Sequence, residues 1–266
     1  MPKAKVKDLN MYYEIHGEGF PLVMILGLSS NVYWWDAPLL EELSQSFKVI
    51  VFDNRGVGRS DDPEVDFSMK TMAEDLAGLL DVLDIQRAHV LGISMGGMIA
   101  QEFVLNFPER VEKLVLCATN CGGSEQKLAA NDVYQTLGSF GQRVHDRELV
   151  EEGIPLLYSE DFAAANPQWI EAKIDDVLKI PTTAASFSRQ LGAIMKFRSF
   201  ERLPTINAPT LVMHGKKDIL IPPENSQILA DRIPGAKLAF FENSAHILFS
   251  QEPKVVTTAI IDFLSG

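Results

Sequence analysis

"HVLGISMGGMIAQ", residues 89–101, sets a serine between two glycines at the end of an apolar run. The run up to it, "AHVLGI", has the continuous apolar character of a buried strand. The segment after it, "MGGMIAQEFVLNF", has helical spacing. A strand that passes into a helix through Gly-Ile-Ser-Met-Gly makes a tight turn. Such a turn forces Ser94 into a strained backbone conformation and exposes its hydroxyl. Crowding there demands small residues, which accounts for Gly92 and Gly96, while Gly97 lets the helix pack closely on the strand. The new helix turns its positive end and free N–H groups toward negative charge developing beside the serine. G-x-S-x-G alone also occurs by chance in generic βα turns. The strand before it and the helix after it are the context a nucleophile requires.

On either side of this turn lie further apolar runs bounded by turn residues. They are "PLVMILG" (21–27), "FKVIVFD" (47–53), "EKLVLCA" (112–118), "APTLVMHG" (208–215) and "AKLAFFE" (236–242). Being continuous rather than alternating, they suit strands of a parallel sheet covered on both faces. Helical spacing runs through 69–83, 96–107, 223–232 and 253–264. Strand and helix alternate, so the expected fold class is α/β, a mostly parallel central sheet with helices on both faces. The N-terminal "AKVKDLNMYYEIHG" alternates instead and reads as an antiparallel hairpin at one edge, turning at Asp8–Asn10. Residues 121–203 hold helix-like pieces and no strand. Their recurring apolar and aromatic residues, among them Tyr134, Phe140, Leu157, Trp169 and Phe187, are too many for a disordered linker. The division expected is a core at 1–120, an inserted helical lid at 121–203 and the rest of the core at 204–266. For most lid residues the reading is packing onto the core; some line a substrate pocket.

Composition sets limits. The 266 residues are 46% hydrophobic and 23% charged, the profile of a globular chain with one large core. The formal net charge of -12 disfavours nucleic acid and anionic membranes as partners, because both repel it. No apolar run approaches the length of a membrane span. Cys117 and Cys121 make no disulfide framework, and neither has metal ligands nearby. The N-terminus lacks the apolar core of a secretory signal, so a reduced, cytoplasmic setting is expected, with no cofactor and no metal. The expected state is a monomer or homodimer.

A serine hydroxyl needs a base, and the base needs an orienting acid. Of five histidines, His246 in "ENSAHILFSQEP" follows the strand-like run 236–242, at the same sheet edge as Ser94. It is the base expected here. His16, His89, His145 and His214 read as core or surface residues. The acid stands between serine and histidine in chain order. Asp218 in "LVMHGKKDILIPP" fits, following a strand by a short loop. Asp132, Asp146, Asp161, Asp175 and Asp176 have no preceding strand and read as surface carboxylates. The two oxyanion donors expected are the backbone amides of Met95, after the nucleophile, and Leu28, in the loop "LGLSS".

Five motifs in order carry a resemblance: "ILGLSS" (25–30), "FDNRGVGRSD" (52–61), "GISMGG" (92–97), "HGKKDILIP" (214–222) and "NSAHILF" (243–249). On these the chain resembles the α/β-hydrolase superfamily, in its serine carboxylesterase and enol-lactonase-like branch, over nearly its whole length. In that superfamily the second motif is a structural loop beside the active site, here supplying Asp53, Arg55, Gly56, Gly58 and Ser60. Its "GVGRSD" is not a dinucleotide turn, since the third glycine and a following helix are missing. Leu26-Gly27 departs from the His-Gly often found at the oxyanion strand. The resemblance implies acyl transfer to water, because members acting on epoxides or haloalkanes normally carry aspartate as nucleophile. The expected substrate is a small to medium carboxylic ester with an apolar part. Candidate pocket residues are Trp34, Trp35, Tyr134, Phe140, Leu157 and Ile247. Enol-lactones and C–C bonds are the alternative substrates. They carry a carboxylate, for which Arg189 and Arg198 are the candidate partners. Some members of the superfamily are small-molecule receptors, which fast turnover of simple esters would make unnecessary.

Overall fold

The structure, a computed structural model, describes residues 2–139, 147–180 and 182–266, apart from the side chain of Leu149. Along the chain come strands β1 (Lys3–Val6), β2 (Leu9–His16) and β3 (Phe20–Ile25), helix α1 (Ala37–Ser44), strand β4 (Phe47–Phe52), helix α2 (Met69–Val82), strand β5 (Ala88–Ile93), helix α3 (Met95–Asn106) and strand β6 (Val111–Cys117). Helices α4 (Asn131–Ser139), α5 (Arg147–Leu157), α6 (Glu160–Ala165), α7 (Pro167–Leu178) and α8 (Ala184–Lys196) follow. The chain then returns through β7 (Thr210–Gly215), α9 (Glu224–Arg232), β8 (Lys237–Phe241), the short α10 (Leu248–Gln251) and α11 (Pro253–Ser265).

The strands form one sheet in the order β1-β2-β4-β3-β5-β6-β7-β8. Pairing is parallel from β4 through β8, and β2 is antiparallel to both its neighbours. The continuous apolar runs are explained by burial on two sides. In β3, Val23 and Ile25 join the core under α2 and α3, whereas Leu22 and Met24 join the core under α1 and α11. Each such side chain removed from water contributes about 1.5–3 kcal/mol. The hairpin turns at Lys7 and Asp8, one step before the expected Asp8–Asn10. Lys7 takes φ +50° there. Asn10 is instead a β2 residue, held by Asp61, whose carboxylate accepts its amide at 2.9 Å and its side-chain N–H at 2.7 Å. The partner that holds Asn10 comes from a loop fifty-one residues away, which local turn chemistry does not reveal.

Helices α4–α8 stand between β6 and β7 with a small core of their own around Ile154, Tyr158, Ile170 and Ile174. An antiparallel bridge of Gly122 with Arg198, and the Ser199 amide on the Cys121 carbonyl at 2.9 Å, close the neck of this insertion. Its far side is seated on the core by polar contacts. Lys173 pairs with Asp36 at 2.8 Å, and Thr182 donates to the Ser29 carbonyl at 3.0 Å. The Ile247 amide donates to the Leu157 carbonyl at 3.0 Å. Among the described residues no helix is long and apolar enough to cross a membrane.

Candidate active site

Ser94 joins β5 to α3 at φ 58° and ψ -124°, a left-handed conformation that costs an L-residue of order 1–3 kcal/mol. Its surroundings hold it there. Its amide donates to the Cys117 carbonyl at 2.9 Å, and its carbonyl accepts from the Thr119 hydroxyl at 2.7 Å. The glycines answer to close approach. A Cβ on Gly92 would stand 2.2 Å from the Gly96 carbonyl oxygen, and one on Gly96 would stand 2.1 Å from the Ile25 carbonyl oxygen. Any larger residue at either position forces β3, β5 and α3 apart.

Asp218 and His246 come from separate loops at the carboxyl ends of β7 and β8. His246 Nδ1 lies 2.8 Å from Asp218 Oδ2, and both residues are buried. The amides of Leu220 and Ile221 each donate to Asp218 Oδ1 at 2.9 Å. Burial acts to raise the Asp218 carboxyl, but His246 and His214 together outweigh it and hold its pKa at about 2. The loop carrying His246 is tied from behind: the Ser244 hydroxyl donates to Glu252 at 2.7 Å, and the Ala245 amide to Gln251 at 3.3 Å.

Ser94 and His246 line one cavity of about 500 Å³, between the sheet edge and helices α4, α5, α7 and α8. Leu28, Met95, Trp34, Trp35, Tyr134, Leu157 and Ile247 line it too, while Asp218 sits behind His246, its carboxylate fully buried. Among the described residues, no protein acceptor takes the amide of Leu28 or Met95. The loop bearing Leu28 is held by the insertion: the Ser29 amide donates to Gln190 Oε1 at 2.8 Å, and Gln190 Nε2 to the Arg55 carbonyl at 3.3 Å. Trp35 is buried against Phe249, whereas Tyr134 stands half in solvent at the rim. Phe140, His145 and Asp146 lie outside the described residues.

Of the cations expected to meet a carboxylate, Arg189 is held by Asp62. Arg198 lines the cavity, with one nitrogen donating to the Met195 carbonyl at 2.9 Å. Asp161 and Asp175 pair with Lys217 and Arg147 at the surface. His89 is buried against Phe20 and Phe47, and His16 meets Glu14 at 3.1 Å. His214 is a core residue, as expected, completely buried on β7, and it is also bonded to Asp218, with Nε2 2.9 Å from Oδ2. Only its place four residues before Asp218 hinted at this. Gln190 gave no signal, as a polar residue on an amphipathic helix. Among the described residues, no three His, Cys, Asp or Glu side chains gather to hold a metal ion.

A family model described as alpha/beta hydrolase fold matches residues 21–253 of this chain. The chain belongs to the alpha/beta hydrolase fold family. This hydrolase is 31% identical to a protein of Azorhizobium caulinodans named "Putative carbamate hydrolase RutD", over 99% of this chain and 98% of that one. Its fold matches the enol-lactonase from Burkholderia xenovorans LB400 with a TM-score of 0.89 and 25% identity, each chain covered over its full length. A thermophilic esterase from Thermogutta terrifontis matches with a TM-score of 0.84 and 27% identity, over 100% of the hydrolase and 98% of the esterase.

Proposed function

We propose that this hydrolase cleaves small to medium carboxylic esters through an acyl-enzyme intermediate, with Ser94 as nucleophile, His246 as base and Asp218 as its orienting acid. The observation that carries this is the strained Ser94 turn opening on the same cavity as an imidazole whose Nδ1 is bonded to a buried carboxylate. That bond leaves His246 Nε2 as the ring nitrogen for proton transfer. Ser94 Oγ attacks the carbonyl carbon while His246 takes its proton. The amides of Leu28 and Met95 hold the oxyanion, and Asp218 stabilises the imidazolium. The ester C–O bond breaks, and the departing alkoxide takes the proton from His246. Water then attacks the acyl-enzyme, giving its proton to His246, and the carboxylic acid leaves as Ser94 is restored. The mostly apolar cavity wall suits an apolar acyl or alcohol part, and residues 121–203 serve as its lid. The names carried by the relatives, a carbamate hydrolase, an enol-lactonase and an esterase, share a carbonyl carbon bearing a leaving heteroatom.

A lactone is the second reading. It rests on the full-length match to the enol-lactonase and on Arg198 at the cavity wall, where a substrate carboxylate would find a cation. Initial rates on p-nitrophenyl esters of increasing acyl length, beside an enol-lactone, test both. Ready ester hydrolysis that falls roughly 10⁶-fold in Ser94→Ala is the expected result. Hydrolysis of the lactone alone would favour the second reading, and persistence of activity in Ser94→Ala would remove the serine from the mechanism.

A further inference from the structure

Asp218 receives two imidazoles on one oxygen. His246 Nδ1 lies 2.8 Å from Oδ2 and His214 Nε2 lies 2.9 Å from the same atom. His214 Nε2 is also 2.9 Å from the Ile221 carbonyl oxygen. Both of these neighbours are acceptors, so Nε2 carries the proton and the tautomer is decided. Nδ1 of His214 then accepts from the Ser226 hydroxyl, 2.6 Å away in the first half of α9. His214 and Ser226 are both completely buried. A chain of hydrogen bonds therefore runs from Ser226 through His214 and Asp218 to His246. With two backbone amides on Oδ1, the carboxylate has four donors and no unused lone-pair direction.

We propose that His214 is a positioning residue: by sharing Asp218 Oδ2 with His246 it fixes the carboxylate and tempers the basicity that Asp218 confers on His246. Its role in catalysis rests on the reading of Asp218 and His246 as the acid and base. The physical reason is competition for one charge. A carboxylate oxygen that already accepts a buried N–H stabilises an imidazolium less than one reserved for it. Acceptance of the Ser226 hydroxyl at Nδ1 makes His214 a stronger donor at Nε2. Several ionisable groups on the neighbouring elements are engaged elsewhere. Lys216 pairs with Glu242, Lys217 with Asp161, and Glu252 with the Ser244 hydroxyl. Burial keeps the Cys117 thiol at the end of β6 neutral by pushing its pKa up. Glu224 precedes Ser226 on α9, Tyr158 directly follows α5, and Arg198 lies at the cavity wall. Among the described residues, none of these is bonded to either imidazole.

The test follows the titration of the His246 ring by long-range ¹H–¹⁵N NMR in the intact protein, which needs no turnover. His214→Phe removes the donor and keeps the volume apolar; His246 is expected to titrate at a higher pH than in the wild type. Ser226→Ala is expected to shift it the same way by less. His214→Gln keeps a neutral N–H donor near the Nε2 position and is expected to restore the wild-type value. The acid limb of kcat/KM for ester hydrolysis should move with the NMR titration. An unmoved or lowered His246 titration in a folded His214→Phe protein overturns the proposal, and reduces His214 to packing. If His214→Phe does not fold, the Ser226→Ala and His214→Gln pair decides: equal titrations in Ser226→Ala and wild type overturn it. A shifted His246 titration in His214→Phe, beside a wild type that hydrolyses no ester or lactone, would sink the proposed function and leave the influence of His214 on His246 standing.

Discussion

His89 and His214 are both buried histidines on core strands, and the chain uses them differently. His214 is saturated with partners, whereas His89 Nδ1 has none among the described residues. Its ring lies between Phe20 and Phe47 with centroids at 4.7 and 5.8 Å. Burial, with Lys113 and Arg87 adding repulsion, pushes its pKa down from 6.5 to about 4. Below about pH 6.5 the unfolded chain binds a proton that the folded chain refuses. Stability from this site is therefore complete above pH 6.5 and is lost as pH falls toward 4, by about 3 kcal/mol at most. Urea unfolding at pH 7, 5.5 and 4.5 should show His89→Leu with the flatter dependence on pH. Parallel curves for variant and wild type would mean that acid sensitivity originates elsewhere.

Between elements, one buried ion pair fastens the loop after β4 to helix α2. Arg55 Nε and Nη2 meet Asp75 Oδ2 and Oδ1 at 2.5 and 2.7 Å, and the guanidinium lies over the Phe67 ring at 5.4 Å. Both side chains are nearly sealed from water, with exposures of 3% and 2%. Asp75→Ala strands a buried cation and should cost about 3–5 kcal/mol in denaturant unfolding. Replacing the pair together, Arg55→Met with Asp75→Leu, should recover most of that loss. A single variant costing under about 1 kcal/mol would show that water or another acid reaches the guanidinium. The Arg55 backbone carbonyl also accepts from Gln190, so this pair stands behind the loop that presents Leu28. The pattern "FDNRGVGRSD" revealed that a structural loop lies here. Its partner did not show, because a lone aspartate on an amphipathic helix looks like any solvated carboxylate.

At the scale of the whole molecule, the cavity joins residues from both ends of the chain, from Leu26 to Phe249. Its wall is mostly apolar, so acyl-chain methylenes entering it leave water. Each buried CH₂ contributes about 0.8 kcal/mol, or about fourfold in kcat/KM. Across p-nitrophenyl acetate, propionate, butyrate and longer esters, kcat/KM should climb at about that rate and level off when the cavity is full. A maximum at acetate would mean that the acyl group does not bind along the apolar wall.

The sequence alone determined the α/β alternation, the turn at Ser94 and the positions of Asp218 and His246 behind their strands. Each of these is a local pattern: a continuous apolar run, a glycine pair around one residue, an acid or histidine a few residues past a strand. Only the tertiary structure decided that Asp218 and His246 meet at 2.8 Å, that His214 shares the same oxygen, and that Gln190 of the insertion holds the Ser29 amide. It also placed Asn10 against Asp61. The physical reason is distance along the chain. A hydrogen bond spanning 28 or 161 residues leaves no periodicity behind, and the polar residue that makes it is chosen by one partner in space rather than by its neighbours in sequence.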